Sequence, residues 1–272
     1  MTNEVKVSII HNLYKRNPYV NQTVGLNLIA LKRAGYSFQY ICFNDNGDKL
    51  IYNDVQEFEP DIEYIYSEKN YGMKMCSGGW VGALPYIRGE YIHNTGQDDV
   101  MTWLFYKRLI EFLDTKPDIY LIFSNAFATD ERLKSKRFMI NSQVYFDYTR
   151  PLEMFKIWFG IDNNFNKVTQ SLNGILAPGA IYRKTLHNKI GIPDLETYRG
   201  AGDFEYWARA LFAECKMFYY PRPLWLYRES SYTAGNELID GQPNRGYWQQ
   251  QYIQAIKEKY TRLWDLKYGS KE

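Results

Sequence analysis

Apolar and polar positions follow two alternating periods along this chain, and they divide its first half into strand–helix units. Val5 to Ile10 is a short apolar run, the pattern of a buried strand. Asn17-Pro18 then offers a helix cap followed by proline. Val20, Val24, Leu28 and Leu31 recur at helical spacing, and Gly35 fits the stop. Phe38 to Phe43 predicts a second strand, ending in the turn-forming Asn44-Asp45-Asn46-Gly47-Asp48, and Glu63 to Tyr66 a third. Met73, Cys76, Trp80, Leu84 and Ile87 keep a helical period that Gly79, Gly82 and Pro85 make irregular. Tyr91 to Asn94 predicts a fourth strand, which delivers the pair Asp98-Asp99. Trp103, Tyr106, Ile110 and Leu113 then form a helical face, and Asp118 to Phe123 a further strand.

From Ala128 to Gln170 the pattern loosens into charged and aromatic residues (Arg132, Lys134, Arg137, Tyr145, Tyr148, Trp158), as binding loops do. Order returns at Gly174 to Tyr182. Phe204, Trp207, Leu211 and Cys215 mark a helix, Met217 to Tyr220 and Leu224 to Tyr227 two more strands, and Tyr247 to Leu266 an amphipathic helix. Strand–helix alternation predicts an α/β fold with a mostly parallel central sheet and ligands at the carboxyl ends of its strands. With no internal repeat or linker, one domain is the simpler expectation.

Composition narrows the function classes. The 272 residues carry 33 basic and 31 acidic side chains, a formal +2, so no basic excess points to a nucleic-acid partner. Cys42, Cys76 and Cys215 lie in apolar contexts without CxxC spacing and read as reduced core residues. No signal-peptide region opens the chain and no apolar run approaches ~18 residues. A cytoplasmic protein is expected, with peripheral membrane contact left open. The 25 Tyr, 15 Phe and 7 Trp suit sugar stacking but also simply fill cores.

Three acidic positions carry candidate chemistry. Asp98 and Asp99 precede a helix, where either could be only an N-cap. One cap satisfies a helix, however, and two adjacent carboxylates repel unless a cation joins them. Mg²⁺ or Mn²⁺ suits few protein oxygens completed by substrate phosphates. Asn44 and Asp45 read as turn formers, or as oxygens that accept a base N–H. Asp203, between Gly202 and Phe204, is either an N-cap or a general base, with Gly200 and Gly202 leaving the backbone open beside it. His11, His93 and His187 make no ligand cluster, and no GxSxG, P-loop or GxGxxG is present.

The ordered series of motifs resembles the inverting family-two glycosyltransferases of the GT-A fold, over roughly residues 5–235. Val7-Ser8-Ile9-Ile10-His11-Asn12-Leu13-Tyr14 is similar to that family's first strand. Phe43-Asn44-Asp45-Asn46-Gly47 resembles its second-strand motif, Asn70-Tyr71-Gly72 its NxG and Gly89-Glu90-Tyr91-Ile92 its GEYI segment. Gln97-Asp98-Asp99 falls where a DxD-type motif sits, Asp203 to Arg209 is similar to EDYELWLR, and Pro223 to Arg228 to a late PLxxYR element. The resemblance implies a Rossmann-like GT-A domain over residues 1–235, with a donor part at 1–100, an acceptor part at 101–235 and a helical extension at 236–272. It implies a nucleotide-diphospho-sugar donor, UDP-linked in preference, and a glycan or glycolipid acceptor. Asn12, Tyr14, Asn44 or Asp45, Asn70 and Asp98 would bind the donor, Asp99 with Asp98 would hold Mn²⁺ or Mg²⁺, and Asp203 would be the base.

This chain departs from the family at three places. Gly96 stands where the DxDD form has an acid, Gly202 replaces the Glu of the ED pair, and Ser230 replaces the His of YRxH. Residues 78–85 fit an insertion, which leaves the match of Lys74 open. Two other functions compete. A non-catalytic carbohydrate-binding protein on the same fold would explain the departures. A sugar nucleotidyltransferase would need a glycine-rich loop after the first strand, where the chain reads His11 to Asn17 without glycine.

Overall fold

A computed structural model describes residues 4–71, 78–139, 147–161, 175–232, 238–239, 242–243 and 249–269. Eleven strands run β1 (Val7–Leu13), β2 (Phe38–Asn44), β3 (Glu63–Tyr66), β4 (Tyr91–Thr95), β5 (Val100–Met101), β6 (Ile119–Thr129), β7 (Ser135–Met139), β8 (Ala180–Arg183), β9 (Lys216–Arg228), β10 (Leu238–Ile239) and β11 (Gln242–Pro243). Among the described residues the α-helices are α1 (Val20–Ala34), α2 (Ile51–Val55), α3 (Gly79–Gly82), α4 (Trp103–Thr115), α5 (Pro151–Phe159), α6 (Leu186–Ile190), α7 (Leu195–Tyr198), α8 (Gly202–Phe212) and α9 (Gln249–Tyr268). Lys74, Met73, Cys76, Tyr145 and Gly72 lie outside the described residues.

The main sheet has the order β3-β2-β1-β4-β8-β6-β9-β5, with β7 paired to β6. β3, β2, β1 and β4 are parallel. β8 runs against both β4 and β6, and β9 is parallel to β6, so six of the nine strands share one direction. The expected α/β architecture with a mostly parallel sheet is what the chain forms. β1 is buried at all seven positions because helices cover both faces, as a central parallel strand requires. Ile10, Ile41, Ile92 and Leu121 face α3, α5, α8 and α9 on one side. Val7, Ile9, Tyr40 and Ile122 face α1, α2 and α4 on the other. Strand order reverses between β1 and β4, since β2 and β3 lie beyond β1. A crevice opens at the carboxyl ends of such a pair.

Four expectations are corrected. α1 starts at Val20 rather than Pro18. Asn17 Oδ1 instead accepts the Tyr19 N–H at 2.9 Å and its carbonyl the Val20 N–H, forming a turn before the helix. The two late strands are one, β9, whose register against β6 shifts around Ser124 to Ala126, so a bulge replaces the expected break. The segment 128–170 is not uniformly loop. β6 extends through Thr129, β7 folds back on it, and α5 buries Met154, Phe155 and Trp158. Finally, only Gly79 to Gly82 of the irregular 73–87 pattern is α-helical among the described residues.

α9 places Ile256, Tyr260 and Trp264 in the core at a four-residue repeat, one helical face. No helix of the described residues is long and apolar enough to cross a membrane. Trp158 stacks on Phe204 with ring centroids 5.1 Å apart and planes 4° from parallel, joining α5 to α8. Trp158→Ala should therefore cost about 3–5 kcal/mol of unfolding free energy in urea denaturation. A surface-like cost below about 1 kcal/mol would contradict this packing.

Candidate active site

Three loops meet at the β1–β4 crevice. Asn12, near the end of β1, donates from Nδ2 to Asn94 Oδ1 at 2.9 Å and to the Thr95 carbonyl at 2.7 Å. Its Oδ1 is buried without a hydrogen-bond partner. One residue past β1, the Tyr14 N–H donates to Gln97 Oε1 at 2.7 Å, while Gln97 Nε2 donates to the Lys15 carbonyl at 2.9 Å. Gln97 thus clamps the acidic loop onto the backbone at Tyr14. The turn after β2 joins from the other side, where the Asp48 N–H donates to the Tyr14 carbonyl at 2.9 Å. A Cβ on Gly47 would lie 1.9 Å from that carbonyl oxygen, so only glycine permits this approach.

Asn44 and Asp45 have separate tasks here. The Asn44 amide is committed to the turn: Nδ2 donates to the Asp48 carbonyl and the Tyr64 hydroxyl, both at 2.9 Å, and Oδ1 accepts the Gly47 N–H at 2.8 Å. Asp45 Oδ1 accepts the Tyr71 N–H at 2.7 Å, and its carbonyl accepts from Asn70 Nδ2 at 2.8 Å. Asn12, Tyr14, Asn44, Asp45 and Asn70 therefore gather around the ends of β1 and β2, joined to the acidic loop through Gln97.

Asp98 and Asp99 are not helix caps. The N-cap of α4 is Thr102, whose side chain accepts the Phe105 N–H at 3.3 Å. Between the pair and that helix lies β5, paired with the end of β9. Asn27 of α1 clamps this stretch, donating to the Asp99 carbonyl at 3.1 Å and accepting the Met101 N–H at 2.7 Å. Arg228, fully buried at the end of β9, donates to the Asp98 carbonyl at 3.3 Å, to the Glu131 carbonyl and to Gln22 Oε1 at 2.9 Å. Its guanidinium also lies 4.3 Å from the Tyr19 ring centroid. The backbone of the acidic loop is thus held from β1, α1 and β9.

Its carboxylates are a different matter. Asp98 Oδ2 and Asp99 Oδ1 are buried with no hydrogen-bond partner. Burial pushes the Asp98 carboxyl up to about 6, with Arg228 pulling it back. Asp99 is pushed well above the usual carboxylate range by burial and then by the Asp98 charge. Gly96 lies against both: a Cβ there would stand 2.9 Å from Asp99 Oδ2 and 3.6 Å from Asp98 Oδ1. No group of three His, Cys, Asp or Glu residues that could hold a metal occurs among the described residues. The donor set fits a cation that two carboxylates hold and a ligand completes. Hard oxygens, mutual repulsion and unpaired buried lone pairs are what a divalent ion relieves.

Asp203 lies in the first turn of α8, behind Gly202, and the helix has no side-chain cap; Asp203 Oδ1 accepts the Phe204 N–H at 2.7 Å. The openness expected of Gly202 is corrected, because a Cβ there would meet Leu195 Cδ2 at 2.5 Å. That glycine serves close packing. α8 packs on Trp80 of α3, whose ring lies 5.5 Å from those of Tyr206 and Trp207. The neighbouring Gly79 abuts Asn12 Oδ1. His11 and His93 are buried neutral, pushed down to about 3 and about 4 by burial. Sequence reasoning missed Asn27, Gln97 and Arg228 as builders of the site. Gln97 and Arg228 stood inside quoted motifs, whereas Asn27 gave no signal.

Among solved structures, S. aureus TarS 1–349 in complex with UDP-GlcNAc superposes with TM-score 0.65 at 16% identity, over 93% of this chain and 66% of that one. The same fragment in complex with UDP gives 0.61 at 16% identity, over 84% and 61%. Mannosyltransferase PcManGT from Pyrobaculum calidifontis, in complex with GDP-Man and Mn²⁺, gives 0.58 at 13% identity over 96% and 65%. The fold is GT-A-like. The chain spans 61% to 66% of the length of these solved chains and 37% of a longer TarS chain. No protein-family model matches it, and no curated protein matches its sequence.

Charge burial in this GT-A-like crevice sets a stability cost. The folded-state pKa of Asp98, about 6, exceeds the unfolded value near 3.9, so the folded protein holds the proton more tightly. Ionised Asp98 therefore subtracts from stability above about pH 6, and the penalty fades as pH falls toward 4. Asp98→Asn should raise the stability of the metal-free protein by about 1–3 kcal/mol at pH 7.5. The gain over wild type should shrink as pH falls through about 6. Thermal unfolding of both proteins across pH 4.5–8 checks it, and equal melting temperatures throughout would refute the buried charge.

Proposed function

We propose that the protein is an inverting glycosyltransferase moving a sugar from a nucleotide-diphospho-sugar, UDP-linked, to a hydroxyl of a glycan or glycolipid. The observation that carries this is the pair of partnerless buried oxygens, Asp98 Oδ2 and Asp99 Oδ1, at the β1–β4 crevice. Supporting it, the similar folds were solved with UDP, UDP-GlcNAc, and GDP-Man with Mn²⁺.

Tyr14 stacks on the base, and Asp45, rather than the turn-bound Asn44, reads the base edge. Asn12 and Asn70 shape the pocket around them. Asp98 faces the ribose-diphosphate, and Asp99 with Asp98 holds Mn²⁺ or Mg²⁺. A cation held there would supply charge neutralisation of the leaving diphosphate. Asp203 takes the proton of the acceptor hydroxyl. The oxygen attacks the anomeric carbon from the opposite face, and the bond to the diphosphate breaks with its electron pair. One displacement inverts the configuration. The acceptor approaches over the β6–β7 hairpin, where Asp130, Glu131, Arg132 and Lys134, with Glu229, line an open cleft of about 400 Å³.

Nucleoside diphosphates and UDP-glucose, UDP-GlcNAc and GDP-mannose, each with and without Mn²⁺, test the donor site by thermal shift. Metal-dependent stabilisation by a nucleoside diphosphate is expected. Stabilisation by glycans alone would favour a carbohydrate-binding protein instead. Asp203→Asn should lower turnover about 10²–10⁴-fold while donor binding stays within a few-fold. Near-normal transfer by that variant would remove the base assignment.

A further inference from the structure

Immediately beyond Asp203, an ionic knot around one buried carboxylate ties the first turn of α8 to α9. Glu205 is 1% exposed, and three groups converge on its carboxylate. Arg209 Nη2 donates to Oε2 at 2.7 Å within the helix. From α9, Lys259 Nζ and the Tyr260 hydroxyl donate to Oε1 at 3.0 and 2.8 Å. The Lys259 ammonium also lies 5.1 Å from the ring centroid of Tyr198. Tyr198 ends α7 and precedes the short 199–201 turn that feeds α8. In that turn Arg199 has φ 43°, a backbone region costly for a residue with a side chain. Such a turn persists where its surroundings over-determine it.

α9 therefore grips the chain on both sides of Asp203, at Tyr198 before it and at Glu205 after it. Adhesion alone does not call for this. Ile256, Tyr260 and Trp264 already bury an apolar face of α9 in the core. Desolvating the Glu205 carboxylate, beside cations that stay partly exposed, is a poor route to stability compared with apolar packing. Directional bonds supply something apolar contact does not, a fixed rotation and height of α8 against α9.

We propose that Glu205, Lys259 and Tyr260 form a lock whose task is to position Asp203, making α9 part of the transfer machinery. This rests on the reading of Asp203 as the base. Lys259 and Tyr260 are positioning residues that act on Asp203 through Glu205. A displacement of about 1 Å at a reacting group can cost up to about 10²-fold in rate.

The test uses the full chain with Lys259→Met, Lys259→Arg and Tyr260→Phe, each alone and combined with Asp203→Asn. Tyr260→Phe keeps the buried ring, so it should fold even if Lys259→Met does not. Steady-state kinetics follow nucleotide release from whichever of UDP-glucose, UDP-GlcNAc or GDP-mannose the thermal-shift panel selects. Lys259→Met and Tyr260→Phe should lower kcat about ten-fold, with the donor KM within about two-fold, and Lys259→Arg should restore most of the loss. In the Asp203→Asn background the lock variants should cost nothing more, since no base remains to be misplaced. Equal losses in both backgrounds, a raised donor KM, or unchanged kcat would make the knot purely structural and overturn the inference. If Asp203→Asn alone leaves turnover intact, the base assignment fails first and takes this inference with it.

Discussion

Two adjacent carboxylates held out of water organise this protein's crevice. Their charges repel each other, one buried oxygen of each lacks a hydrogen-bond partner, and burial raises both protonation constants. A loop carrying such a pair would swing toward solvent if its backbone were free. It is not free. Amide side chains bridge it at two points, Gln97 to the strand end at Tyr14 and Asn27 across Asp99 and Met101, and Arg228 bonds the Asp98 carbonyl. The supports act on peptide groups and leave Asp98 Oδ2 and Asp99 Oδ1 unbonded, an arrangement that suits an external cation.

The sheet makes this possible. Reversal of strand order at β1 and β4 opens the crevice, and the parallel pairing of both strands delivers their following loops to the same end. β9 contributes from the far side of the sheet. Its 13 residues pair with β6 along one edge and, at Trp225 and Leu226, with β5 along the other, and Arg228 at its end bonds the acidic loop. α8 approaches on the opposite face of the core through the Trp80, Tyr206 and Trp207 cluster, so the two acidic elements belong to different layers. Their joint use in one reaction is what the proposed mechanism requires of this arrangement.

The three departures from the family pattern acquire different physical meanings. A Cβ on Gly96 would meet the carboxylates themselves, so its missing acid bears on the proposed cation site. Gly202 packs against Leu195 and bears on how closely α8 seats. Ser230 is buried beside Arg228, with Oγ accepting the Tyr232 N–H at 3.2 Å.

Much of the fold was legible in the chain because hydrophobic period is a local property. The strands at β1 to β4, the helix face of α4 and the repeat of Ile256, Tyr260 and Trp264 follow from side chains a few residues apart. The turn chemistry of Asn44 and the αL conformation of Asn46, φ 55°, follow likewise. Local signals failed where long-range pairing decided the outcome. β9 is continuous because β6 supplies a partner across its bulge, α5 is helical core because Phe204 and Trp264 receive its aromatics, and α1 begins late because Asn17 closes a turn. The acidic pair was visible as two neighbouring letters. That its oxygens are buried without partners, that Asn27, Gln97 and Arg228 hold its backbone, and that Glu205 meets Lys259 54 residues away are properties of groups far apart in the chain. Sequence fixes which side chains exist and their local period, whereas desolvation and partnership arise only when distant segments exclude water together.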